Sequence, residues 1–319
     1  MTWLVTGGAG YIGAHVVAAL CEAGTTTVVL DDLSTGFFER LPSDVPLVVG
    51  SIRDRDLVRR TLVDHRVTGV MHLAARKQVA ESVAEPLRYY ADNVDGLISV
   101  LEGCKSAGVR QFVFTSSAAV YGAPDVDLVT EDTPCTPVSP YGETKLIGEW
   151  LVRACSNWGL AATSLRYFNV AGAATPELVD RGAANLVPLV FQALLAGRRP
   201  HVFGTDLPTP DGTCIRDYVH VADVADAHLA AAAALEAGVP GATYNIGRGH
   251  GASVREVLTM IAEITGLDTA ADDLPRRAGD PARVVASANL ARTELGFVAT
   301  RDLHEIVASA WAGVVSPRV

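Results

Sequence analysis

The chain has 319 residues, 49% of them hydrophobic and 19% charged, which suits a globular protein of one large domain or two and excludes a disordered tract. A net charge of −10 with dispersed arginines offers no overall attraction for nucleic acid or an anionic membrane, so a small-molecule partner is expected. Five cysteines (Cys21, Cys104, Cys135, Cys155, Cys214), odd in number and without a C-x-x-C pair, argue against a disulfide framework and a zinc knuckle; no metal is expected, and the thiols suit a reducing cytosol.

From Met1 the chain passes into a short apolar strand, Trp3-Leu4-Val5-Thr6, with no basic, apolar leader before it. That strand breaks into Gly7-Gly8-Ala9-Gly10-Tyr11-Ile12-Gly13 and a helical run follows to Gly24. Gly8, Gly10 and Gly13 fit G-x-G-x-x-G, whose missing side chains permit a tight turn, approach of a pyrophosphate and close helix packing, with the helix N-terminus at the phosphates. A second strand, Thr27-Val28-Val29-Leu30, ends at Asp31, where a carboxylate accepts from a ribose diol and repels a 2′-phosphate, favouring NAD over NADP. Asp32 either holds that role instead or caps the turn through Ser34, Thr35 and Gly36; Asp31 is preferred.

The alternation continues with a strand at Leu47-Val48-Val49, a helix over about 54–65, and a strand at 70–73 that runs into Ala74-Ala75-Arg76-Lys77. This pattern predicts a Rossmann-type, doubly wound parallel α/β sheet. Small residues after Leu73 let a dinucleotide pass, while Lys77 either reaches its phosphates or is a solvated surface lysine. A long helix over 86–107 carries Asn93, and the strand Gln111-Phe112-Val113-Phe114-Thr115 runs out into Ser116 and Ser117 at the sheet edge where ligands sit. Later, Ser139-Pro140-Tyr141-Gly142-Glu143-Thr144-Lys145 sets a phenol and an ammonium four residues apart on one helix face. A free tyrosine is about one part in a thousand phenolate at neutral pH; lowering its pKa by roughly three units takes about 4 kcal/mol, which Lys145 and a cationic cofactor ring are expected to share. Tyr141 then serves as a general base. The Ala-rich run Ala230 to Ala234 reads as helix, and no stretch is long and apolar enough to span a bilayer.

These features in this order resemble the extended short-chain dehydrogenase/reductases. With Thr6 through Gly13, Lys77 through Glu81-Ser82-Val83, Ser117 through Gly122, Arg166-Tyr167-Phe168-Asn169, Arg216 through Val221, and Arg276-Arg277-Ala278-Gly279-Asp280, the chain is similar to the UDP-glucose 4-epimerases from Thr2 to nearly its end. The resemblance implies NAD contacts at Gly7, Gly10, Tyr11, Ile12, Gly13, Asp31, Asp32, Ser34, Thr35 and Gly36, then at Ser51, Ile52, Leu73, Ala74, Ala75, Lys77 and Asn93, and near the nicotinamide at Ser117, Tyr141, Lys145 and Phe168. Ser51 stands where the family commonly has an aspartate facing the adenine amino group; it accepts without charge, and the Ile52 backbone is left to support the contact.

For the substrate, a UDP-hexose, the resemblance implies Ser117, Tyr141, Asn169, Asn185, Leu186, His201, Val202, Phe203, Arg216, Arg277, Asp280 and Val284. Independent chemistry gives Phe203 a uracil ring to pack on, Arg216 and Arg277 a pyrophosphate to fork, and Asp280 ribose hydroxyls. The implied reaction is C4 epimerisation: Tyr141 takes the 4-hydroxyl proton, hydride passes to NAD, the 4-keto sugar turns over, and hydride returns to the other face. Ala118 and Ala119 occupy the places where a dehydratase commonly has an Asp-Glu pair. Another nucleotide-sugar epimerase or dehydratase, or a non-catalytic NAD sensor, is the alternative. Residues 1–167 plus about 216–247 are expected to bind NAD, and 168–215 plus about 248–319 to form a smaller, discontinuous α/β substrate domain. Helices near 86–107 and 141–157 resemble the family's dimer bundle. Val284 aligns with the position bordering the sugar's 2-substituent, and its small size predicts acceptance of N-acetylated sugars, unless it is simply core in a strand over 283–286.

Overall fold

The computed structural model describes residues 1–182, 185–277 and 279–316. In chain order its strands are β1 (Thr2–Thr6), β2 (Thr26–Asp31), β3 (Leu47–Val49), β4 (Gly69–His72), β5 (Gln111–Ser117), β6 (Ala161–Tyr167), β7 (Asn169–Ala171), β8 (His201–Phe203), β9 (Ile215–His220), β10 (Thr243–Ile246), β11 (Gly251–Ser253), β12 (Asp272–Leu274) and β13 (Arg283–Val284). Seven of them form one parallel sheet in the order β10-β6-β5-β4-β1-β2-β3. The order reverses between β1 and β4, which opens a crevice at the carboxyl ends of the strands.

Both faces of the sheet are covered, as its apolar strands require. Helix Tyr11–Glu22 lies against helix Val221–Glu236 on one face, where the small side chains Ala225, Ala227, Ala231 and Ala232 let the two approach closely. Helices Arg55–Asp64, Gly96–Ala107 and Pro140–Ala154 cover the other, around Leu62, Leu97, Val100, Phe112 and Phe114. A second, smaller sheet (β11-β9-β13, with β7 on β9) and the pair β8-β12 surround a separate core with helices Leu186–Leu195, Val254–Thr265 and Leu303–Val315.

Three local expectations are revised. The helix over 86–107 is Pro86–Tyr89, a π-helical segment Tyr90–Asp95, and Gly96–Ala107. The return to the NAD-binding part, expected from about 216, starts later: Val219 still belongs to β9, and His220 acts as the N-cap of the next helix, its Nδ1 accepting from the Ala222 amide at 3.0 Å. The chain therefore crosses back to the large sheet at Val221 rather than near 216. The strand over 283–286 is only Arg283–Val284, with Ala286 in an isolated bridge to Val129. No helix among the described residues is long and apolar enough to cross a membrane, and all five cysteines are unpaired.

Candidate active site

The glycine turn between β1 and helix Tyr11–Glu22 is shaped by contacts that exclude side chains. Gly7 has φ +73°, and a Cβ on it would sit 2.6 Å from the Ala74 amide nitrogen; one on Gly13 would lie 2.1 Å from the Gly7 carbonyl oxygen. Gly10 is different: a Cβ there meets only that same carbonyl, at 3.2 Å, and the space in front is open. Gly10 is also the N-cap, with no side chain capping the helix and no acidic residue in its first turn. The leading amides, Tyr11 and Ile12 among them, thus form a ready anion site. The Tyr11 side chain turns elsewhere, donating to the Gly172 carbonyl at 2.6 Å, with the exposed Lys77 ammonium 5.8 Å from its ring centre.

Asp31 ends β2 beside this turn. Its Oδ2 accepts from the Ala9 amide at 2.9 Å and its Oδ1 from Leu33 at 2.8 Å; burial pushes the carboxyl up while those two bonds pull it down. Asp32 is exposed and accepts from the Ser34 amide and hydroxyl at 2.9 and 2.6 Å, so the geometry gives it the turn-capping role. Thr35 is exposed, and Gly36 packs against Ala9, folding the 32–37 loop over the glycine turn. The Ser51 hydroxyl oxygen accepts from the Arg53 amide at 3.2 Å, and Ile52 is buried against Gly96.

Leu73, Ala74 and Ala75 line the end of β4, half-buried, next to Asn93. The Asn93 carbonyl accepts from the Arg76 amide at 2.8 Å, and its amide donates to the Arg76 carbonyl and the Thr144 hydroxyl at 3.0 Å each. The wide π segment carries Asn93 inward, where it pins the strand end to the helix of Tyr141.

That helix starts where the sequence signals it: the Ser139 hydroxyl caps the Gly142 amide at 3.2 Å and Pro140 takes the first position. Tyr141, in the first turn, meets the Ser117 hydroxyl from the end of β5. Lys145 is buried; its Nζ donates to the Thr115 carbonyl at 2.8 Å and lies 6.0 Å from the Tyr141 ring centre. Burial lowers the Lys145 pKa to about 7, against a smaller opposing pull from Glu149. The expected depression of the Tyr141 pKa is corrected: burial pushes the phenol up, and only the Ser117 hydrogen bond works the other way. The physical reason is placement, since the ammonium is drawn to a backbone carbonyl rather than to the phenol oxygen. Lowering the phenol requires a further cation that the side chains alone do not supply.

Sequence reasoning missed what braces this helix. Arg166 on β6 forks Glu149 at 2.8 and 2.7 Å, Glu149 also accepts from Ser116, and the Arg166 Nη1 donates to the Tyr121 hydroxyl at 2.7 Å. The pair is almost fully buried and ties the helix of Tyr141 to the residue preceding Ser117. Only the Glu at i+4 from Lys145 hinted at it.

Across the crevice, Asn169 on β7 is exposed and Phe168 is buried with Val120, Tyr121, Leu146 and Val284. Asn185 is the N-cap of helix Leu186–Leu195, but its side chain donates to Asp180 at 3.0 Å, leaving that helix without a side-chain cap. His201 and Phe203 share one side of β8; Val202, expected at the substrate, alternates to the other and is 0% exposed in the core. The Arg277 guanidinium lies 3.9 Å over the Phe203 ring, and Arg216 pairs with Asp280 at 2.6 Å. The face expected to take uracil and the groups expected to take pyrophosphate and ribose are thus engaged with one another. Ala278, within the Arg276 to Asp280 run, lies outside the described residues.

The model of the NAD dependent epimerase/dehydratase family matches residues 3–247. A UDP-glucose 4-epimerase of Azospirillum brasilense is 48% identical, covering 96% of this chain and 90% of the relative. Two solved structures superpose with TM-scores of 0.94: the Stenotrophomonas maltophila UDP-glucose-4-epimerase with bound NAD and formylated UDP-arabinopyranose (38% identity, 98% of this chain and 97% of that one) and the Brucella ovis UDP-glucose 4-epimerase in complex with NAD (37%, 97% of each). The open cradle at Gly10, the carboxylate closing β2 and the Ser117–Tyr141 contact at the sheet edge are what such a match requires of the residues themselves, and the chain belongs to the NAD dependent epimerase/dehydratase family.

Proposed function

We propose that the protein is an isomerase that inverts C4 of a UDP-hexose, interconverting UDP-galactose and UDP-glucose with NAD retained. The observations that carry this are the helix turn bearing Tyr141 and Lys145, packed on the end of β5 where Ser117 lies, with the Lys145 ammonium on the Thr115 carbonyl at the carboxyl edge of the sheet that also carries the glycine cradle. Gly7, Gly10, Gly13 and the Tyr11 and Ile12 amides hold the pyrophosphate of NAD, and Asp31 its adenosine ribose. When bound, NAD supplies the reversible oxidation at C4. Tyr141 removes and returns the 4-hydroxyl proton, Ser117 hydrogen-bonds the 4-oxygen, and Lys145 steadies the nicotinamide ribose. Arg216, Arg277 and Asp280 exchange their present partners for the UDP moiety.

Val284 lies in a cluster with Ala118, Leu146 and Phe168, neighbours in sequence of the proposed site residues, and is smaller than a tyrosine, which favours acceptance of an acetamido group. UDP-N-acetylgalactosamine is therefore a second substrate. The exposed Leu87 (82%), Val83 (63%) and Trp150 (52%) on neighbouring helices support a homodimer, checked by light scattering. Free cysteines support a cytoplasmic setting. The deciding assay incubates purified protein with UDP-galactose and no added NAD. UDP-glucose should form; a protein that carries NAD yet converts nothing refutes the reading.

A further inference from the structure

Behind the Tyr141–Lys145 pair lies a buried polar chain to which the reaction assigns no part. His228, on helix Val221–Glu236, is fully buried. Its Nδ1 lies 2.9 Å from the Val224 carbonyl, an acceptor only, so Nδ1 carries the hydrogen. Burial lowers this imidazole to about 4, so the ring is neutral and Nε2 is a bare acceptor. The Tyr167 hydroxyl sits 2.5 Å from that Nε2 and must be its donor. With that proton committed, the 3.3 Å contact between Tyr167 and the Thr115 hydroxyl runs in one sense only: Thr115 donates and Tyr167 accepts. Thr115 is the residue whose carbonyl receives the Lys145 ammonium, and Tyr167 stands in register opposite Ser117 on the neighbouring strand.

We infer that Tyr167 and His228 are positioning residues for the Tyr141–Lys145 pair, acting through Thr115. Each hydrogen bond from Val224 to Thr115 has a defined direction, and the backbone carbonyl of Thr115 holds Lys145, so the residue that anchors the ammonium is tied to a helix on the far side of the sheet. The anchor is needed because the pull of the Thr115 carbonyl decides how far Lys145 lies from the phenol. The titratable groups facing Lys145 are His72 from β4, Glu149 from its own helix, and Tyr141; Tyr167 faces Tyr141 from β6. Among these only Tyr167 reaches Thr115 by a side-chain hydrogen bond.

The inference rests on the proposed epimerase reading for its rates but has readouts of its own. Tyr167→Phe removes one oxygen from a shape the core retains. It should lower kcat on UDP-galactose about tenfold with KM little changed, and move the acidic limb of the pH–rate profile downward by about half a unit or more, because an ammonium held less firmly by the Thr115 carbonyl is free to approach the phenol. Thr115→Val should do the same, and the double variant should be no worse than either alone. At position 228, Gln places an acceptor where Nε2 was and should restore most of the activity lost in His228→Leu. Without sugar, nitrogen NMR of the histidines should show His228 as the neutral Nδ1–H form at neutral pH, and the Tyr141 absorbance titration should shift downward in Tyr167→Phe. An unmoved profile and an unmoved titration in Tyr167→Phe, additive losses with Thr115→Val, or an Nε2–H His228 would overturn the inference. Wild-type protein inert toward UDP-galactose counts against the proposed function instead, and the NMR and absorbance readings still decide this one.

Discussion

The two sides of the crevice are prepared for ligand in opposite ways. On the sheet side the recognition groups are backbone amides and strand ends whose positions follow from steric exclusion: Gly7 and Gly13 admit no Cβ, and the first turn of helix Tyr11–Glu22 is left uncapped. On the other side the groups proposed for recognition are side chains already engaged with one another, Arg216 with Asp280, Arg277 over the Phe203 ring, Asn185 with Asp180. A cofactor can dock on the first side without displacing anything. On the proposed function, a UDP-sugar would have to break existing pairs on the second, which would lower net affinity and make that side exchangeable. A tightly retained cofactor and a turned-over substrate call for that asymmetry.

The sharpest way to break the comparison is at the residue both sides share. Tyr141→Phe should lower turnover by about a hundredfold or more, the scale of a lost acid/base group, while bound NAD is unchanged. Loss of NAD together with activity would mean that Tyr141 belongs to cofactor binding alone. Next, Asp31→Ala should weaken NAD retention by about 1–3 kcal/mol, and nucleotide released from denatured wild type should weigh as NAD, not NADP. An unchanged off-rate would remove Asp31 from the ribose.

Lys145 offers a pH test on the sheet side. It titrates near 7 in the folded protein and near 10.4 when unfolded, so between those values the unfolded chain holds the extra proton and stability rises with pH; below about 7 both states are protonated and the burial penalty is complete. In nucleotide-free protein, denaturation midpoints of Lys145→Met and wild type should converge by about 1.4 kcal/mol per pH unit between about pH 8 and 10. Parallel curves would mean that Lys145 stays charged. On the exchangeable side, Arg216→Lys keeps the charge and loses the fork, and should lower kcat/KM for UDP-galactose about tenfold with NAD retention untouched.

What could be read from the sequence divides along the same line. The glycine turn, Asp31 and the Tyr141–Lys145 spacing are local signals, complete within a few residues, and the parallel sheet follows from strands and helices alternating. The π segment at 90–95, which redirects Asn93, leaves no local signature in composition. Arg166–Glu149 and Tyr167–His228 join residues 17 and 61 apart, and nothing near either member names its partner. A histidine inside an Ala-rich buried helix was the one visible clue to the second pair. Val202 was legible and misread: alternation in a three-residue strand sends it opposite to His201 and Phe203.

The smallest effect on UDP-galactose is expected at Val284, where the two descriptions of the residue now meet. It is 7% exposed and clustered with Val120, Tyr121 and Ala286, as a core residue would be. The same cluster contains Leu146 and Phe168 with Ala118 packed on it, neighbours in sequence of Lys145, Asn169 and Ser117. Because its strand is only two residues long and pairs with Arg216 on β9, the backbone around it is fixed by the substrate side. A tyrosine at this position has two courses. Turned toward Ala118 it enters the crevice and blocks a 2-acetamido group; turned inward it overpacks Leu146 and Phe168 at a cost of about 1–3 kcal/mol. Val284→Tyr should therefore abolish turnover of UDP-N-acetylgalactosamine, change that of UDP-galactose by no more than about threefold, and leave the melting temperature close to wild type. A drop in both activities with a lowered melting temperature assigns Val284 to the core, and wild-type protein inert toward the N-acetylated sugar removes the breadth altogether.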